Sequence, residues 1–165
     1  MSSSDPSGNP LLAHGTPPRF EEIGPAHVRE AMPALLEQTR RELTEFEAGV
    51  EPTWDGIFER MRLLMEPIHY AWGVTSHLLA VRNSEELRSV YESFEPAIVE
   101  LTNTIRQSQP VFDALEALQS GPDWSTLGAV RQRMVHKELT KMRLAGLALQ
   151  GEERTRFNAI QKELA

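Results

Sequence analysis

Between Val28 and Phe46 the chain repeats apolar or small side chains every three or four residues, at Val28, Met32, Leu35, Leu36, Thr39, Leu43 and Phe46. That spacing lays them along one face of an α-helix. The pattern recurs. Ile57, Met61, Leu64, Ile68, Trp72, Thr75 and Leu79 form a second row, and Leu87, Tyr91, Phe94, Ile98, Leu101 and Ile105 form a third. No stretch shows the period-two alternation of a half-buried strand, so the pattern predicts an all-α fold of several amphipathic helices.

Punctuation residues set the expected boundaries. Pro25 suits the first turn of the first helix and Gly49 its far end. Thr53 is placed to cap the second helix, with Asp55 near the positive end of its dipole. Asn83 and Ser84 offer caps for the third, which Gln109-Pro110 ends or interrupts. The short helix in "PVFDALEALQS" is expected to stop at Gly121-Pro122, with Gly121 as a left-handed cap. A fifth helix is expected from Ser125, carried by Leu127, Val130, Met134 and Leu139, and a last one places Phe157, Ile160 and Leu164 on one face. Pro33, Pro67 and Pro96 fall inside helical patterns, at a cost of about 3 kcal/mol each in a straight helix, which predicts bends or breaks. The pattern reaches Ala165 without a glycine, a proline or a cationic cluster to close it, so the helical array is expected to be cut there rather than finished.

Residues 1–19 are rich in Ser, Pro and Gly, with only Leu11, Leu12 and Ala13 as an apolar interruption, and are expected to form a flexible arm before a helical domain over 20–165. The 165 residues suffice for one core and not for two of ordinary size. A formal net charge of -7 gives no attraction to phosphate backbones or anionic lipid, so neither nucleic acid nor a membrane is an expected partner. No window approaches the roughly 18 apolar residues of a membrane span, and "MSSSDPSGNP" lacks the basic and apolar regions of a secretion signal. With no cysteine there is no thiolate chemistry, and the cytoplasm is the expected compartment.

The histidines invite a test for metal. His69 and His77 stand eight positions apart, a rise of about 12 Å on a continuous helix. Two imidazole nitrogens on one zinc can be at most about 4 Å apart, so the two cannot share an ion by local geometry. A helical zinc-peptidase site needs His at i and i+4 with Glu at i+1, and none of His14, His27, His69, His77 and His136 is followed by Glu. His69 and His77 are therefore read as structural or surface residues. No G-x-S-x-G occurs, and "LAGLALQGEE" lacks the lysine of a phosphate loop. The acidic pairs Glu21-Glu22, Glu85-Glu86 and Glu152-Glu153 sit near expected helix starts, where carboxylates complement the dipole. No catalytic, cofactor-binding or metal-binding residue is assigned.

Four segments taken together resemble a known family. They are "NPLL" at 9–12 leading into "PPRFEEIGPAHVREAMPALL", then "PTWDGIFERM", then "AWGVTSHLLAVRNSEELRSVYE", then "KMRLAGLALQGEERTRFNAIQKELA". In order and spacing they are similar to the N-terminal region of the oligopeptidase A and thimet oligopeptidase family of zinc metallopeptidases. The resemblance implies an N-terminal helical wall of a deep channel, with H-E-x-x-H and a further glutamate much later in the chain binding zinc and hydrolysing short peptides. It therefore implies zinc in the full-length protein and none held here, with the missing catalytic domain as the partner of this region. A different class of function also fits the residues: a stand-alone helical module binding a peptide or partner helix between proline-bent helices.

Overall fold

A computed structural model describes residues 8–14 and 17–164. Among them are six α-helices and two short turns of other pitch, and no strand, as the periodicity predicts. Helix α1 (Pro25–Ala48) packs on α2 (Arg60–Val81) and α3 (Glu85–Arg106); α4 (Gln109–Ser120) packs on α5 (Ala129–Leu144), and α6 (Gly151–Glu163) lies against α3. A π-helical turn, Asp55–Glu59, leads into α2, and a 3-10 turn, Pro122–Thr126, joins α4 to α5.

Local chemistry sets most of these boundaries. Pro25 occupies the first turn of α1, where its missing N–H costs no helical bond. The Gly24 N–H donates to His27 Nδ1 at 3.1 Å, so the ring does what a glutamate does in a capping box. Thr53 Oγ1 accepts from the Gly56 N–H at 2.9 Å, and Ser84 and Ser108 cap α3 and α4 in the same way. Gly121 differs from expectation: its backbone is extended, φ -81° and ψ 169°, because the chain leaves α4 directly into the 3-10 turn without a left-handed residue.

None of the three internal prolines breaks its helix. Pro33, Pro67 and Pro96 lie within α1, α2 and α3, which run on unbroken in hydrogen-bonding class. Each proline leaves the carbonyl four residues earlier without its helical donor, and those carbonyls belong to Arg29, Leu63 and Glu92. All three residues are exposed, where water can serve the freed group.

The core runs along the facing sides of α1, α2 and α4. Val28, Met32, Ile68 and Leu115 are essentially inaccessible, and Thr75, equally buried, donates its hydroxyl to the Ala71 carbonyl at 2.8 Å. Trp72 of α2 stacks on Tyr91 of α3 with ring centroids 4.2 Å apart.

Three expectations are corrected. Leu11, expected within a flexible arm, is fully buried, and Asn9 beside it is 98% buried and hydrogen bonded, because the "NPLL" turn docks on the start of α1. Residues 1–7 and 15–16 of that arm lie outside the described residues. The fifth helix begins at Ala129 rather than Ser125 and turns Val135, Leu139 and Met142 inward, leaving Val130 and Met134 exposed. Finally, α6 buries none of its side chains fully: Phe157 is half-buried, while Ile160 and Leu164 are exposed.

Candidate functional site

A concavity of about 780 Å³ opens between the π-helical turn, α2, α4 and α5. Its walls are mostly apolar, with Phe58, Met61, Met65, Val111, Leu115 and Met134 prominent. Trp54 stacks on Phe58 at the mouth, centroids 4.3 Å apart and planes 17° from parallel, and the Arg131 guanidinium lies 4.8 Å from the Trp54 ring centre. The π-helical turn makes this possible: Gly56 is buried there against Glu51 and Thr53, so the chain closes tightly before α2 and aims both aromatic rings at one mouth.

The rim is charged. Arg62 bridges Glu59 and Glu66, each at 3.0 Å, and its hydrogen bond to Glu59 is the main reason its guanidinium holds its proton above the ordinary range. These pairs are exposed and screened by solvent, so they serve mainly to order the rim. Burial pushes the Tyr70 hydroxyl up, against the opposing charge of Arg19. Flexible thioethers beside stacked aromatics suit an apolar segment of variable shape, with charged residues around it for orientation.

The histidines do not converge. His69 is exposed and lines the rim of this groove, while His77 is exposed and packs against the Phe20 ring at 5.2 Å. His27 caps α1, His14 Nδ1 lies 3.3 Å from the Leu12 carbonyl, and His136 meets both Gln119 Nε2 and the edge of Trp124. Among the described residues no three His, Cys, Asp or Glu side chains lie close enough to hold a metal ion. The donor set of this segment does not fit a zinc site. Of the acidic pairs, Glu85-Glu86 and Glu152-Glu153 open α3 and α6 as expected, whereas Glu21-Glu22 lie in the turn before α1, with Glu22 paired to Arg19 at 2.7 Å.

Sequence reasoning assigned the apolar residues of α2 to the core and so missed the groove. The available signal was width: Phe58, in the turn before α2, and Met61, in its first turn, lie at the edge of the apolar face, half-buried beside the groove, while Leu64 and Ile68 turn into the core.

The chain is 38% identical over 158 residues to organellar oligopeptidase A of Arabidopsis thaliana, covering 96% of this chain and 20% of that protein. It is 36% identical over 165 residues to a probable cytosolic oligopeptidase A of the same plant, covering 99% and 24%, and 28% identical over 158 residues to oligopeptidase A of Escherichia coli K12, covering 95% and 23%. The chain thus spans about a fifth to a quarter of the length of these relatives. Residues 32–154 match the family model of the neurolysin/thimet oligopeptidase N-terminal domain, and the chain belongs to that family.

Proposed function

We propose that this chain is the N-terminal helical domain, over 20–165, of an oligopeptidase-A-like zinc metallopeptidase, forming one wall of the channel through which the complete protein admits short peptides. In this reading hydrolysis, and the zinc that supports it, belong to a catalytic domain outside these residues, and the complete protein works in the cytoplasm. The observation that carries it is the family match over 32–154 within relatives four to five times as long. Exposed apolar side chains support it too: Leu63, Val130, Leu144 and Leu164 are 57%, 71%, 76% and 76% accessible. A domain that normally packs against more protein leaves such surface uncovered.

The test is peptide cleavage. The purified 165-residue chain, incubated with zinc and a quenched fluorescent oligopeptide, is expected to release no product, whereas adding the catalytic region of a relative restores chelator-sensitive cleavage. Chelator-sensitive cleavage by the chain alone overturns the proposal. Strong binding of a hydrophobic dye and concentration-dependent light scattering are expected as well; a dye-silent monomer that binds peptides saturably favours the stand-alone module instead.

A further inference from the structure

On the side of the molecule formed by α3, α5 and α6, two depressions of about 210 and 300 Å³ share Asn103, Arg106 and Gln161 in their walls. Asn103 is 6% exposed, yet its Nδ2 has no hydrogen-bond partner among the described residues. A buried donor left so carries the full cost of its lost hydration, which makes an orphaned amide at a concave surface a place where an acceptor belongs. Arg106 is exposed and forms no ion pair among the described residues. Lys141 also lines the larger depression, but its ammonium is paired to Glu138 at 2.9 Å. Arg106 is thus the uncompensated charge facing the hollow, on a chain whose net charge is -7, so the acceptor favoured there is an anion.

Arg106 also sits in the last turn of α3, where it complements the negative end of the helix, a role that needs no ligand. That role leaves the Asn103 amide unexplained. The apolar surroundings narrow the chemistry further. Leu164 borders the smaller depression and Leu144 the larger, each 76% exposed, so whatever covers the site brings apolar contact along with its charge.

We propose that Asn103, Arg106 and Gln161 form a carboxylate-binding site that receives an acidic side chain from the remaining polypeptide of the complete protein, carried on an amphipathic segment that covers Leu144 and Leu164. This rests on the reading of the chain as the N-terminal part of a longer enzyme. The relatives supply the length: at least three quarters of each lies outside the region matched here. An arginine bonded to a carboxylate, with an amide donor beside it, is the usual strong form of such contacts.

The test uses the 165-residue chain and nuclear magnetic resonance of the Asn103 side-chain NH₂ and the Arg106 Nε–H. The chain is titrated with N-acetylglutamic acid α-amide, whose only carboxylate is on its side chain, with N-acetylleucine, whose only carboxylate is terminal, and with sodium chloride at equal ionic strength. Saturable shifts of both signals are expected with the glutamate probe, with affinity about tenfold weaker in Arg106→Gln, the loss expected for one charge-assisted hydrogen bond. Circular dichroism of the variant is expected to match the parent. Shifts no larger than those with chloride, or unchanged in Arg106→Gln, overturn the site; tighter binding of N-acetylleucine overturns its assignment to a side chain. Neither probe is a peptidase substrate and no activity is read, so failure here leaves the function proposed above standing.

Discussion

The Asn9 side chain donates through Nδ2 to the backbone carbonyl of His27 at 3.0 Å, while its Oδ1 accepts from the Leu11 N–H at 3.0 Å. One amide thus folds its own turn and fastens that turn to α1. Leu11, fully buried as a result, joins the core beside the helices. Truncating Leu11 to Ala is expected to cost about 2–5 kcal/mol, the range for emptying a buried leucine site. Asn9→Ala is expected to cost about 1–3 kcal/mol, since it leaves the buried Leu11 N–H without its acceptor. Urea denaturation followed by circular dichroism measures both, and a loss below about 0.5 kcal/mol for Leu11→Ala shows that the turn does not dock.

That segment also marks where sequence reading stops. Leu11 among serines, prolines and glycines carries no periodicity, and its turn is held to α1 by the bond from Asn9 to His27, 18 positions after Asn9. The helices themselves were legible because each apolar row follows a 3.6 period and each cap is local, as Thr53 and Ser84 show. Phase failed in α5, where Val130 and Met134 fit the period as well as Val135 and Leu139 do, and only the position of α4 decides which pair turns inward. The groove was illegible for a related reason: a half-buried apolar residue lining a hollow, such as Met61, looks in sequence like one filling a core.

Gly56 is expected to resist any side chain. A Cβ there would stand 2.7 Å from the Glu51 carbonyl oxygen and 2.7 Å from Thr53 Oγ1. Gly56→Ala is expected to destabilise the chain by about 1–3 kcal/mol through forced backbone movement. Thr53→Ala removes the cap and is expected to cost about 1 kcal/mol. Because that change relieves only one of three close contacts, leaving the Glu51 carbonyl oxygen and Cβ in place, Gly56→Ala should remain destabilising in a Thr53→Ala background. Thermal denaturation of the two single variants and the double variant reads this directly.

Tyr70 sets an alkaline dependence. Burial raises its pKa above the ordinary 10.0, so between the unfolded and folded values the folded chain holds a proton that the unfolded chain has lost. The sign follows: this contribution is fully present below the unfolded value and is lost as pH rises through the folded one. In a Tyr91→Phe background, absorbance of the single remaining tyrosine is expected to show ionisation above pH 10 while the fold persists. In the Tyr70→Phe variant this component of alkaline destabilisation should disappear.

Helix α6 is held by polar contacts rather than by fully buried apolar side chains, which makes its attachment testable apart from the core. Gln107 Nε2 donates to Asn158 Oδ1 at 2.8 Å and to the Ala145 carbonyl at 2.9 Å, joining the end of α3 both to α6 and to the loop before it. Arg154 Nη2 adds a bond to the Leu147 carbonyl at 2.8 Å, and Lys162 pairs with Glu100 at 3.1 Å on the surface. Of these, Gln107 is the most buried, so replacing it leaves the Ala145 carbonyl and the Asn158 amide short of partners in a place water enters poorly. Gln107→Leu is therefore expected to speed hydrogen exchange throughout α6 by about tenfold or more, the equivalent of roughly 1.4 kcal/mol, while exchange in α1 and α2 changes little. Lys162→Ala should speed it far less, because an exposed ion pair contributes about 0–1 kcal/mol. Equal effects from the two substitutions would show that α6 is held by its surface charges, and a matching rise in α1 would show that α6 opens only with the whole bundle.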